Sequence, residues 1–143
     1  MVMIARDIVE KDFISLPGES TAFEAAKLMK ARHHGFVVVA AAGGAPEGMV
    51  TEWDFLSKLM AEGRDPAKVK LKEIMTPALV TVNANDELDS VSQFMAQRGV
   101  RRVLVIQDGK VLGVITAGTI LSKMKAYVDR ISAQIARLQM PHV

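Results

Sequence analysis

The chain contains its own copy. Gly48-Met-Val-Thr51-Glu-Trp-Asp54-Phe-Leu-Ser-Lys58 returns 65 residues later as Gly113-Val-Ile-Thr116-Ala-Gly-Thr119-Ile-Leu-Ser-Lys123. In a chain of 143 residues, such a repeat leaves room for two copies of one supersecondary unit and little else. The copies differ at one telling position, Asp54 in the first and Thr119 in the second. Any function built on that position is therefore expected to be asymmetric.

Each copy reads in step with the other. Asp7-Ile8-Val9 matches Glu73-Ile74-Met75 as a short lead-in, and Ile14-Ser15-Leu16 matches Val80-Thr81-Val82 as a small strand. Ser20 and Asp86 read as helix N-caps, followed by Phe23, Ala26, Leu28 and Met29 in one copy and Leu88, Val91, Phe94 and Met95 in the other at helical spacing. The helices end near His34-Gly35 and Arg98-Gly99. Phe36 to Ala42 and Val103 to Ile106 read as buried strands rich in β-branched residues. Each turns back, the second through Gln107-Asp108-Gly109-Lys110, a strong hairpin signal. Gly48 reads as the end of the first tight hairpin. Met49-Val50 and Val111 to Ile115 are the return strands, and second helices follow from about Glu52 to Ala61 and from Ala117 onward.

The expected architecture is α/β (α+β), two tandem β-α-β-β-α repeats over 1–66 and 67–126, with a C-terminal helical extension over 127–143. Neither repeat alone carries enough apolar residues for an independent core, so the two are expected to pack about a pseudo-two-fold axis. In the extension, Tyr127, Ile131, Ile135 and Leu138 are spaced for one apolar face. That face either packs back on its own domain or drives association.

Composition narrows the function. Half the residues are hydrophobic and 24% charged, as in a globular protein. No apolar run is long enough to span a membrane, and the amino terminus reaches acidic residues too soon for a secretory signal, so a cytoplasmic protein is expected. With no cysteine there is no disulfide, thiol nucleophile or Cys-based metal site. Residues 1–73 carry 10 Lys/Arg against 11 Asp/Glu, and residues 74–143 carry 8 against 5. The excess lies in the second half, but a net charge of +2 is too small to argue for nucleic acid, and the chain has few aromatics for stacking bases, so no nucleic-acid partner is expected. The carboxylates show no pairing that would separate two pKa values, and no Ser-His-Asp order stands out, so no enzyme and no catalytic cofactor are expected. His33 and His34 have no neighbouring ligands in sequence, and no metal is expected.

Thr51 and Asp54 admit two readings. Thr-x-x-Asp before an apolar run is a capping box, each side chain bonding the other's backbone N–H. The same residues at a strand-to-helix junction also suit a ligand, because the first-turn N–H groups favour an anion. A carboxylate there can accept from both hydroxyls of a ribose.

The order and duplication of Ile74-Met75-Thr76-Pro77, Arg98-Gly99-Val100-Arg101-Arg102 and the Gly-x-x-Thr-x-x-Asp turn resemble the cystathionine-β-synthase (CBS) domain pair, or Bateman module, over Asp7 to Lys125. The resemblance implies a stand-alone regulatory module that senses an adenosine compound (AMP, ADP, ATP or S-adenosylmethionine) in the cleft between repeats and signals to another protein, unidentified, by changed packing. It implies a site of Met49, Thr51 and Asp54 from the first repeat with Thr76, Pro77, Leu79, Val80, Val100, Arg101 and Arg102 from the second. Ser15, Leu16, His34, Thr116 and Thr119 would form the other cleft, weaker for want of a carboxylate at Thr119. A homodimer paired through helices is also implied. The competing reading is an interaction module whose pockets are vestigial.

Overall fold

The computed structural model describes residues 2–77 and 80–138. In chain order its elements are α1 (Ala5–Ile8), β1 (Ser15–Leu16), α2 (Ala22–Arg32), β2 (Phe36–Ala40), β3 (Pro46–Thr51), α3 (Glu52–Phe55), α4 (Leu71–Ile74), β4 (Thr76–Pro77), β5 (Thr81–Asn83), α5 (Leu88–Arg98), β6 (Arg102–Gln107), β7 (Lys110–Thr116) and α6 (Ala117–Leu138). A π-helical turn, Leu56–Met60, continues α3, and a 3-10 turn, Pro66–Lys68, precedes α4. The β-α-β-β-α order recurs, and the two units pack about a pseudo-two-fold axis.

Local sequence accounts for most boundaries, with small corrections. The N-caps are Thr21 and Glu87 rather than Ser20 and Asp86. Thr21 wins because its hydroxyl accepts from the Glu24 N–H at 3.1 Å while Glu24 reaches back to the Thr21 N–H. Asp86 instead holds the preceding turn, accepting from the Asn83 N–H at 2.9 Å. His33 ends α2 in the left-handed region at φ 56°, the place that Gly99 occupies after α5 at φ 63°. Strand β2 stops at Ala40, two residues short of Ala42, because Gly44 at φ 90° closes the turn back to Ala41. The Asp108-Gly109 hairpin forms as expected, both residues at positive φ.

Each hairpin lies in its own sheet. The first is ordered β1-β2-β3-β4 and the second β5-β6-β7. Strands β1 and β5 pair parallel to β2 and β6, while β3 and β7 return antiparallel. Both sheets are covered on both faces. Along β2, Val37 and Val39 enter the first repeat's core with Ala25, Met29 and Leu59, while Val38 faces the other way. Along β6, Val103 and Val105 enter the second core, and Leu104 faces Val38 in a third cluster with Val114, Phe13 and Met49. That shared layer joins the repeats.

The lead-ins are exchanged. Helix α1 packs on the second repeat: its Ala5 and Ile8 are buried there, and the Ala5 and Arg6 N–H groups donate to Asp86 and Ala84 carbonyls at 2.8 and 2.9 Å. Helix α4 packs on the first repeat through Leu71 and Ile74, with Leu71 N–H donating to Ser20 at 2.9 Å. Glu19 clamps this junction, accepting from Lys70 and Lys72 at 2.5 and 2.6 Å. The Lys70 bond first, and Lys72 second, lower the Glu19 carboxyl to about pH 2.

The exchange explains the repeated glycines. Gly48 does not end a hairpin; it lies inside β3, opposite Val39 on one side and Pro77 on the other. A Cβ there would sit 2.6 Å from the Thr76 carbonyl oxygen. At Gly113 it would sit 2.2 Å from the Glu10 carbonyl oxygen. Each glycine is where the other repeat's lead-in crosses a return strand, and only a residue without a side chain admits that crossing.

Candidate functional site

Two clefts open along the seam between repeats. The first, about 190 Å³, takes Met49 and Thr51 from β3 and Thr76, Pro77, Val80, Val100, Arg102 and Leu104 from the second repeat. Seven of the ten residues expected there line it. Leu104 was missed, although the alternation of β6 points it at the shared layer. Leu79 lies outside the described residues. Arg101 is not in this cleft: as the residue before β6 it faces the other side, where its carbonyl accepts from the Ala117 N–H at 2.9 Å.

Asp54 stands behind Thr51 and is not part of the cleft wall. It is 4% exposed and the one buried charged side chain among the described residues. One carboxylate oxygen accepts from the Thr51 N–H at 2.8 Å and from its hydroxyl at 3.3 Å. The other lies 3.0 Å from the Lys58 ammonium, which also donates to the Ile74 carbonyl at 2.9 Å. The carboxylate therefore caps the helix, and through Lys58 it ties the first repeat to α4.

At the equivalent position, the Thr119 hydroxyl lies 2.9 Å from that of Thr116, and the Thr119 N–H donates to the Thr116 hydroxyl at 3.0 Å. The cap survives there without a charge. The second cleft, about 450 Å³, is lined by Gly35, Phe36, Arg101, Arg102, Thr116, Ala117 and Gly118. Thr116 alone of the five residues expected in this cleft lines it. Ser15 and Leu16 are spent on pairing with Val38 and Val39, and His34 turns to Asp12 at 3.5 Å, beside the Arg32–Asp12 ion pair. His33 is exposed. Among the described residues no three His, Asp or Glu side chains group to hold a metal.

Arg102 and Phe36 start β6 and β2, and they are equivalent under the internal symmetry. The guanidinium lies 5.1 Å from the centre of the Phe36 ring, across the pseudo-two-fold axis. It therefore borders both clefts. Phe36 was missed as a site residue because in sequence it reads as a core strand position. The offset that relates it to Arg102 was the available signal.

A family model described as CBS domain matches this chain twice, over residues 5–61 and 71–126. The chain belongs to the CBS domain family. Its two matches are the two repeats seen here, so it carries a CBS pair. The CBS domain-containing protein YhcV of Bacillus subtilis is 31% identical over 113 residues, covering 79% of each chain. A hexameric CBS-CP12 protein from bloom-forming cyanobacteria superposes with a TM-score of 0.75 at 35% identity, covering 86% of this chain and 72% of that one. The fold is shared with the CBS pair of protein MJ0100, solved with 5-methylthioadenosine and S-adenosyl-L-methionine (TM-score 0.75, 24% identity, 89% and 99% covered). It is shared too with protein PAE2072 from Pyrobaculum aerophilum, solved with AMP (TM-score 0.72, 22% identity, 82% and 89% covered). No helix among the described residues is long and apolar enough to cross a membrane.

Proposed function

We propose that this CBS pair is a regulatory module that binds one adenine nucleotide (AMP, ADP or ATP) in the first cleft. The observation that carries the reading is the make-up of that cleft. Met49, Val80, Val100 and Leu104 supply apolar walls from both repeats, with Thr51 on one side and the Arg102 guanidinium on the other. Such walls suit a flat base, and a guanidinium suits a phosphate held bidentately. Asp54, buried behind Thr51, takes the ribose diol only by moving into the cleft, exchanging Lys58 for a hydroxyl while keeping the Thr51 N–H. One guanidinium in a small cleft favours the monophosphate, and it repels the sulfonium of S-adenosylmethionine. The adenosine ligands of two proteins with the same fold support this class.

A ligand touching both repeats favours one packing of the pair over others, and a partner protein can read that difference. Isothermal titration with AMP, ATP and S-adenosylmethionine tests the assignment. Wild type is expected to bind one nucleotide per chain, and Asp54→Ala and Arg102→Ala to weaken it at least about tenfold each, the worth of a charge-assisted bond. Saturable binding undiminished in both variants would sink the site.

One observation favours a second reading. The Asp54 carboxylate is already satisfied by Thr51 and Lys58, as in an interaction module whose pockets have lapsed. That reading requires no thermal shift with any nucleotide.

A further inference from the structure

Lys58 meets Asp54 on the oxygen that the helix cap leaves free. The Thr51 N–H and hydroxyl take one carboxylate oxygen. The Lys58 ammonium stands 3.0 Å from the other and donates to the Ile74 carbonyl at 2.9 Å. Ile74 closes α4, and Met75 joins it to Thr76 and Pro77, part of the first cleft's wall. One ammonium thus holds the carboxylate behind the cleft and holds the segment that leads into the cleft's wall. The second repeat lacks this link: Lys123 stands exposed in the place of Lys58, four residues after Thr119, which offers no carboxylate. Helix α6 also stays α-helical there, whereas α3 passes into the π-helical turn that carries Lys58. Such turns are rare and concentrate at functional sites.

We propose that Lys58 is a latch that sets nucleotide affinity: it competes with the ribose for Asp54, and its release on binding frees α4 and β4 to shift against the first repeat. The inference rests on nucleotide binding in the first cleft. A carboxylate oxygen given to an ammonium at 3.0 Å is not free for a ribose hydroxyl, so binding has to break that ion pair and loses affinity by it. The released ammonium has a second seat. Lys58 and Glu62 line a polar hollow of about 430 Å³ with Arg64 and Glu73. Glu62 stands four residues after Lys58, as Asp54 stands four before it. The lysine therefore trades one carboxylate for another and gives up the Ile74 carbonyl in doing so. Occupancy of the cleft then reaches the backbone of the second repeat's lead-in through an element with two discrete arrangements.

Isothermal titration of the full chain with AMP tests the competition. Lys58→Met, an uncharged side chain of similar length, is expected to bind AMP about tenfold more tightly than wild type, and Lys123→Met to bind as wild type does. A merely structural lysine gives the opposite sign, since a loosened fold weakens binding. Without nucleotide, Lys58→Met should speed amide exchange across residues 71–76 at least about threefold, and Lys58→Arg should restore the protection. In wild type, which needs no variant to fold, saturating AMP should raise reductive methylation of Lys58 relative to Lys123 at least about threefold.

AMP that binds wild type but binds Lys58→Met no more tightly overturns the latch and leaves the nucleotide site standing. AMP that binds Lys58→Met alone supports it. AMP that binds neither protein overturns the nucleotide site and the latch with it. Exchange across 71–76 unchanged in Lys58→Met, or Lys58 methylation indifferent to bound AMP, would each overturn the proposal.

Discussion

Replacing Gly113 by alanine tests the crossing of the two repeats most directly. The new Cβ would meet the Glu10 carbonyl oxygen at 2.2 Å, the Glu10 carbonyl carbon at 3.0 Å and Val9 Cγ2 at 2.7 Å. The nearest atom is backbone, so it cannot swing aside as a side chain would. Glu10 is fixed by two hydrogen bonds to Val114, 2.9 Å from its N–H and 3.0 Å to its carbonyl. Moving it breaks both, at about 1 kcal/mol each, with overpacking adding about 1–3 kcal/mol. The expected loss is about 3–5 kcal/mol, a large share of the roughly 5–15 kcal/mol that holds a domain folded. At roughly 3 °C per kcal/mol for a chain of this size, Tm falls by about 9–15 °C. Urea unfolding followed by circular dichroism measures the loss. Gly43→Ala, with open space around the new methyl and no positive φ, is the control and should stay within about 0.5 kcal/mol of wild type. Gly48→Ala should fall between them, since the flexible Met75 side chain relieves part of its crowding. If Gly113→Ala unfolds within about 1 kcal/mol of Gly43→Ala, the glycine is not there for the crossing and the reasoning fails.

Two further outcomes follow from the electrostatics. The Glu19 carboxyl is lowered from 4.5 to about 2 by Lys70 and Lys72, so its stabilisation is complete above about pH 4.5 and is lost as pH falls toward 2. Urea midpoints measured across that window should drop less steeply for Glu19→Gln than for wild type, and the two curves should converge at the acid end. Thr119→Asp places a carboxylate one helical turn before Lys123, as Asp54 stands before Lys58. It should raise nucleotide stoichiometry by titration from one toward two per chain, whereas an unchanged ratio would mean that the carboxylate is not what separates the clefts.

How much of this was legible beforehand differs by element. Strand and helix order followed from two copies of one pattern, because β-branched runs, Asp-Gly turns and helical spacing act over a few residues. Caps slipped by one residue, since Ser20 and Thr21 are both competent and only the reciprocal bond to Glu24 chooses between them. Of the described wall of the first cleft only Leu104 was missed, while Arg101 and Asp54 were expected in it and lie elsewhere. The second cleft was mostly not: whether His34 faces a cleft or Asp12 depends on where a distant lead-in lies.

The sequence by itself determined that there are two repeats, that one carries Asp54 where the other has Thr119, and that each hairpin returns on itself. Those are properties of neighbours along the chain. Tertiary structure decided the rest: that the lead-ins change places, that Gly48 and Gly113 exist for their crossing, that Lys58 reaches the Ile74 carbonyl, and that Arg102 stacks on Phe36. Each joins residues far apart in sequence, and no local preference of either partner specifies such a meeting.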